Sequence, residues 1–254
     1  MKKSFQQNTD GRVDVVGESH DCVEHVAEAA EAGSKRTITE LVMIVDRSGS
    51  MHGLEADTIG GINAVMEKNS ALDADVTVSV VLFDDVSEVL YDRVPLKQVR
   101  PLTERDYQVR GCTALLDAVG GSIRHAERVQ KYMPKEYKAD KVIFVITTDG
   151  LENASRRYTY SRVKRAIECK QEEGWEFLFL GANIDAAAEA GRIGISCDRA
   201  ATYVPDGYGN EVMYGAVADA TVKMQLHPTG RIDGDWAAPV HADHKKRGGF
   251  FHRH

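Results

Sequence analysis

The chain has 254 residues, a formal charge of −7 and a pI near 5.7, which argues against a general nucleic-acid binder, since such proteins are basic overall. Apolar residues make up 43% and charged residues 28%, ordinary for a globular chain of one large domain or two small ones. No apolar run reaches the length of a membrane span. Met1, Lys2 and Lys3 carry positive charge with no apolar core behind them, so the start does not read as a secretory signal. The four cysteines, Cys22, Cys112, Cys169 and Cys197, are widely spaced and form no C-x-x-C pair. Reduced thiols in a cytoplasm are therefore expected, rather than a disulfide framework or a zinc site.

Residues 1–37 read as a peripheral arm. Val13 to Val16 has the composition of a short strand. Cys22 to Ala32 has that of a helix, with Glu24, Glu28 and Glu31 in it, and suits a solvated arm or one that covers a partner surface. From Thr39 strands and helices alternate. The pattern predicts a strand at 40–45, a helix at 53–69, a strand at 76–83 and a third strand at 86–94. Asp84-Asp85 turns that third strand back as a hairpin. A helix at 113–132 closes at Pro134, and a strand at 141–148 is the most apolar stretch. A helix at 160–173 stops at Gly174. A strand at 175–180, a helix at 184–192, an edge strand within 197–204 and a helix at 210–225 complete the series. This order predicts an α/β domain over 38–226: a doubly wound, mostly parallel sheet with one antiparallel strand and helices on both faces. Beyond Leu226, Pro228, Gly230, Gly234 and Pro239 interrupt every pattern. The segment 227–254, with its irregular histidines, reads as a disordered tail.

The chemistry concentrates where strands end. Leu41 to Val45 is an apolar, β-branched run of the kind buried on both faces. It runs into Asp46, Ser48 and Ser50, three oxygen-bearing side chains at alternate positions, with Gly49 giving freedom to turn. Open α/β sheets bind ligands at this carboxyl edge. One carboxylate and two hydroxyls make a hard, all-oxygen cluster suited to Mg²⁺ or Mn²⁺ rather than zinc. Each residue has a plainer reading as a helix cap or turn former, but the joint placement favours a metal site.

The Asp46-x-Ser48-x-Ser50 stretch resembles the signature of the von Willebrand factor type A (VWA) family and its metal ion-dependent adhesion site (MIDAS). The resemblance implies two further pieces: a Thr ahead of a helix, here in Gly111-Cys112-Thr113, and an Asp at the end of a later strand, here where Val142 to Thr148 runs into Asp149-Gly150. The resemblance covers about residues 38–226. It implies that Ser48, Ser50 and Thr113 touch the cation directly, while Asp46 and Asp149 hold coordinated waters. The cation then takes a Glu or Asp from a protein partner. With no leader or anchor recognised, the chain resembles the stand-alone bacterial, intracellular members. Such relatives work as adaptors, for example beside AAA+ ATPases or in stress-response complexes, without membrane or nucleic acid. The expectation is a non-enzymatic binding domain. The alternative is a Mg²⁺-dependent hydrolase or phosphotransferase with Asp46 as nucleophile, although the second acid such enzymes carry two positions on is here Ser48. No G-x-G-x-x-G, P-loop, G-x-S-x-G or H-E-x-x-H pattern is present.

Around these residues, Glu152 and Asn153 are candidates for the rim, and Asp117, four residues after Thr113 on the same helix face, for a hydrogen bond near the metal loops. Arg156, Arg157, Tyr158 and Tyr160 form a basic-aromatic cluster that suits a partner contact or a solvated loop. Gly60-Gly61 and Gly120-Gly121 weaken their helices, which points to close packing there.

Overall fold

The computed structural model describes residues 37–72 and 74–247. The expected arm, with its strand at 13–16 and helix at 22–32, lies outside the described residues. Six strands are present: β1 (Ile38–Asp46), β2 (Asp75–Phe83), β3 (Ser87–Pro95), β4 (Lys141–Thr148), β5 (Glu176–Ala182) and β6 (Ala200–Tyr203). The helices are α1 (Glu55–Ser70), α2 (Leu115–Tyr132), α3 (Tyr160–Glu172), α4 (Ala186–Arg192), α5 (Gly207–Leu226) and α6 (Ala238–Arg247). The strand order is β3-β2-β1-β4-β5-β6. Every neighbouring pair is parallel except β2 and β3, as the hairpin pattern predicts.

The apolar runs are continuous because both sheet faces are covered. Leu41, Met43 and Val45 of β1 point to a core shared with Ile59, Ile62 and Val65 of α1 and with Met213, Val217 and Met224 of α5. Val42 and Ile44, one residue out of phase, point to the other core with Leu115 and Val119 of α2 and Val163 and Ile167 of α3. Side chains alternate faces along a strand, so two covered faces leave no polar position in the run. β3, on the edge, has only one neighbour strand and stays half-exposed throughout.

β1 is the strand at which the chain reverses its order. From β1 it goes to β2 on one side, and it later returns to β4 on the other. The crevice between the carboxyl ends of β1 and β4 is therefore a topological switch point. Asp46 closes β1 and Asp149 follows β4.

The close packing expected of the glycine pairs is real for one member of each. A methyl at Gly61 would lie 1.9 Å from the Tyr214 ring of α5, and one at Gly120 would lie 2.3 Å from the Tyr158 ring. Gly60 and Gly121 face open space.

Two features differ from the sequence reading. α5 starts at Gly207 rather than 210, because the Asp206 carboxylate accepts the Gly209 N–H at 2.7 Å and caps it. The expected disordered tail at 227–254 is also corrected over 227–247. Ile232, Trp236 and Val240 are buried, and α6 packs on β6 and α5. The Trp236 indole donates to the Asp198 carbonyl at 2.9 Å, and Arg199 donates to the Ile232 carbonyl at 2.8 Å. Pro239 is tolerated because it falls in the first turn of α6, where its missing N–H has no helical partner to lose.

Candidate metal centre

Asp46 is the fixed point of the centre. It is fully buried, and both its carboxylate oxygens are engaged. Oδ1 accepts the Ser48 N–H at 2.7 Å, and Oδ2 accepts the Thr148 hydroxyl at 2.6 Å. The Asp46 carbonyl accepts the buried Tyr107 hydroxyl at 2.5 Å. The turn after β1 then brings Ser48 and Ser50 together, with their Oγ atoms 3.1 Å apart. Ser48 is buried and Ser50 faces solvent.

Thr113 arrives from the loop ahead of α2. Its N–H donates to Asn153 Oδ1 at 2.9 Å, and its carbonyl accepts the N–H groups of Asn153 and Ala154 at 3.0 and 3.3 Å. A methyl on Gly150 would lie 3.1 Å from Thr113 Oγ1 and 3.4 Å from Ser50 Oγ. The two hydroxyls thus face each other across a backbone that carries no side chain. Asp149, immediately before it, is buried, and its Oδ1 has no hydrogen-bond partner among the described residues. The structure brings together all five residues singled out in the sequence.

The helix-cap bonds of the plainer reading are absent, although the Asp46 side chain does form a turn through the Ser48 N–H. Ser48, Leu54 and Ala114, at the N-cap positions of the turn after β1 and of α1 and α2, make no side-chain cap bond.

The electrostatics ask for a cation. Burial pushes the Asp46 carboxyl above its ordinary 3.8; bonds from Thr148 and Ser48 only partly offset this, and the nearby Asp149 charge adds to it. Burial likewise raises Asp149, partly offset by the Ser50 hydroxyl. Neither carboxylate has a Lys or Arg partner among the described residues. Ionised acids out of water are costly unless paired or metal-bound. No three His, Cys, Asp or Glu side chains converge among the described residues, so any ion here rests on two acids and three neutral hydroxyls. That donor set, with an unmet carboxylate oxygen, fits a hard divalent cation.

Several residues matter that the sequence reading passed over or placed differently. Thr148 was read only as the end of a strand, yet it holds Asp46 and also accepts the Gly150 N–H at 3.3 Å. Its position beside Asp149 was the available signal. Asp84 does turn the hairpin, accepting the Val86 N–H at 2.9 Å. Its other oxygen takes the Nε–H of both Arg47 and Arg110 at 2.8 Å. Arg47 lies between two site residues, and Arg110 precedes Thr113 by three, so one buried carboxylate ties two of the loops together. Two backbone bonds run alongside: Arg110 N–H to the Arg47 carbonyl at 2.8 Å and Gly49 N–H to the Gly111 carbonyl at 3.2 Å. Gly111 has φ +68°, and a methyl there would strike Asp85 Oδ1 at 1.9 Å; that oxygen accepts the Cys112 N–H at 2.6 Å.

The expected rim residues hold the loop after β4. Glu152 accepts the N–H groups of Leu116, Ala154 and Ser155. Asp117 accepts those of Arg156, Arg157 and Tyr158. Tyr158 and Tyr160 are half-buried against the core and stacked by Arg162 and Arg192, while Arg156 and Arg157 are exposed. Cys112, Cys169 and Cys197 are free and exposed. No helix among the described residues is long and apolar enough to cross a membrane.

No family model matches the chain, and no curated protein does. Solved structures do match it. The vWF domain of the type V pili tip protein Mfa5 from Porphyromonas gingivalis aligns at 11% identity over 72% of this chain and 95% of that one, with a TM-score of 0.51. The pilus adhesin SpaC from Lactobacillus rhamnosus GG, in an open conformation, aligns at 12% identity over 75% of this chain and 31% of that one, with a TM-score of 0.57. Proximal thread matrix protein 1 from the mussel byssus aligns at 13% identity over 72% of this chain, with a TM-score of 0.49; the chain spans 45% of its length. Another structure of that mussel protein has a zinc-occupied MIDAS motif. The fold of this chain is VWA-like.

Proposed function

We propose that the chain is a divalent-cation-dependent protein-binding domain without catalytic activity. Ser48, Ser50 and Thr113 would hold Mg²⁺ or Mn²⁺ through their hydroxyl oxygens, and Asp46 and Asp149 would accept hydrogen bonds from its waters. A cation so held, with few anionic ligands, supplies an electrophilic centre open to a Glu or Asp of a partner protein. The observation that carries this reading is the pair of buried carboxylates with no cationic partner among the described residues, one of them with an unmet oxygen.

The engagement of both Asp46 oxygens by Ser48 and Thr148 supports binding over chemistry, because a nucleophilic carboxylate needs a free oxygen aimed at the substrate. The exposed free thiols support a reducing, cytoplasmic setting. An adaptor beside an AAA+ ATPase or in a stress-response complex suits such a domain.

Isothermal titration of the chelator-treated protein with Mg²⁺ and with Mn²⁺ tests this, beside a Ser48→Ala/Asp149→Ala double variant. Saturable one-to-one binding, lost in the double variant, is expected. Absence of both heat and thermal shift in folded wild type would remove the reading. Turnover of p-nitrophenyl phosphate that disappears in Asp46→Asn would replace it with the hydrolase.

A further inference from the structure

The two sides of the candidate metal centre differ in the charge they offer a partner. On the β2–β3 side, the guanidiniums are paired with acids. Arg47 is buried against Asp84 and reaches Glu88 at 2.7 Å, and Arg110 is bound to Asp84 at 2.8 Å and to Glu88 at 3.9 Å. With Asp85, three acids stand there against two arginines. On the other side, the loop after Asp149 has the reverse arrangement. Its acids turn inward, with the Glu152 and Asp117 carboxylates each accepting three backbone N–H groups. Its arginines turn outward. Arg156 and Arg157 are exposed, and neither has an ion-pair partner among the described residues.

The backbone that carries these guanidiniums is tied to the loop of the centre. The Arg156 N–H bonds to Asp117 Oδ2 at 3.0 Å, and Asp117 is about one helical turn past Thr113. Asn153, three residues earlier, is bonded directly to Thr113. The loop is rigid as well as near. The N–H groups of 153 and 154 bond to the Thr113 carbonyl and those of 156, 157 and 158 to Asp117, while that of 155 bonds to Glu152, whose carboxylate also accepts the Leu116 N–H. A loop already ordered loses little conformational entropy when it binds.

Resting on the metal-dependent reading above, we propose that Arg156 and Arg157 form a second anchor that selects a partner segment with at least two acidic residues. One carboxylate goes to the cation and another to the arginines. The β2–β3 side, where three acids meet two arginines, offers no such anchor, so the segment extends from the centre toward Arg156 and Arg157. Complementary potentials of this kind set orientation and partner choice more than raw affinity.

The probes are a hexaglutamate peptide, a Gly-Glu-Gly peptide with blocked ends, and a dT₁₂ oligonucleotide. Each is titrated into the full chain in Mg²⁺ and in chelator, with wild type, Arg156→Gln/Arg157→Gln and Arg128→Gln. Mg²⁺ affinity is measured separately by calorimetry and should be equal in all three proteins. Hexaglutamate should bind wild type more tightly than Gly-Glu-Gly, and only in Mg²⁺. The double variant should lose on the order of fivefold, as for two exposed ion pairs. Arg128→Gln, which removes an exposed charge about three turns past Asp117 on α2, should lose nothing. Normal Mg²⁺ binding, with hexaglutamate either unbound or bound equally by wild type and the double variant, would overturn the second anchor while leaving the metal centre standing. Failure of Mg²⁺ itself to bind would remove both. Binding of dT₁₂ in chelator, lost in the double variant, would reassign the arginines to a phosphate polymer and overturn the acidic-segment proposal.

Discussion

Asp84 and the pair Asp46 and Asp149 are buried acids at the carboxyl ends of three adjacent strands, β2, β1 and β4, but their surroundings are opposite. Burial pushes the Asp84 carboxyl up, yet bonds from Arg110, the Val86 N–H and Arg47 outweigh it and hold the group below its ordinary 3.8. At Asp46 and Asp149 burial wins, because only hydroxyls and one backbone N–H answer it. Among the described residues, arginines stand at the first centre and no Lys or Arg at the second. The first is a clamp that joins the loops; the second is the pair for which a bound cation is proposed.

This contrast can be broken experimentally, most severely at the clamp. Asp84→Ala leaves the Arg47 guanidinium buried without its main partner and should cost about 3–5 kcal/mol of unfolding free energy, read by urea denaturation. A loss under about 1 kcal/mol would mean that Asp84 behaves as an exposed acid. Next in size, Thr148→Val removes the donor to Asp46 and keeps the shape. It should weaken Mg²⁺ binding by about tenfold to a hundredfold, the usual effect of a group that orients a metal site, while Thr148→Ser should restore most of it.

The two centres should also respond to pH in opposite senses. Asp46 and Asp149 have raised folded pKa values, so the folded state binds more protons. In chelator, stability should therefore fall as pH rises out of the ordinary carboxylate range through those raised values. Asp84 is depressed, so its contribution is present above 3.8 and lost only as pH falls further. Melting in chelator should accordingly be higher near pH 5 than near pH 7, and Asp149→Asn should flatten the difference. A rise toward pH 7, or no effect of the variant, would argue that these acids are not strained without a cation. The smallest effect is expected from Arg110→Gln, since Arg110 is half-exposed and Asp84 keeps Arg47. It should cost less than about 1 kcal/mol by the same denaturation measurement.

The alternation of strands and helices, the antiparallel third strand and the five oxygen-bearing residues at strand ends were all legible in the sequence. Each is written in local pattern: β1 and β4 as apolar runs cut off by Asp46 and Asp149, and the helices by their spacing. α6 was hidden because its apolar anchors are sparse and prolines and glycines surround them. The spacing by four of Ile232, Trp236 and Val240 was its one periodic trace. Those residues gain their place from β6 and α5, which no window of sequence contains.

The amino-acid order by itself determined which faces are buried and which oxygens end the strands, because side-chain periodicity and chain reversal act over a few residues. Tertiary structure alone decided what each polar group is for. Thr148 holds Asp46 across 102 residues, and Asp84 gathers Arg47 and Arg110 from two separate loops. Whether an acid finds a cation within the chain depends on what the fold sets beside it, since charge interactions weaken with distance through space and take no account of separation along the chain.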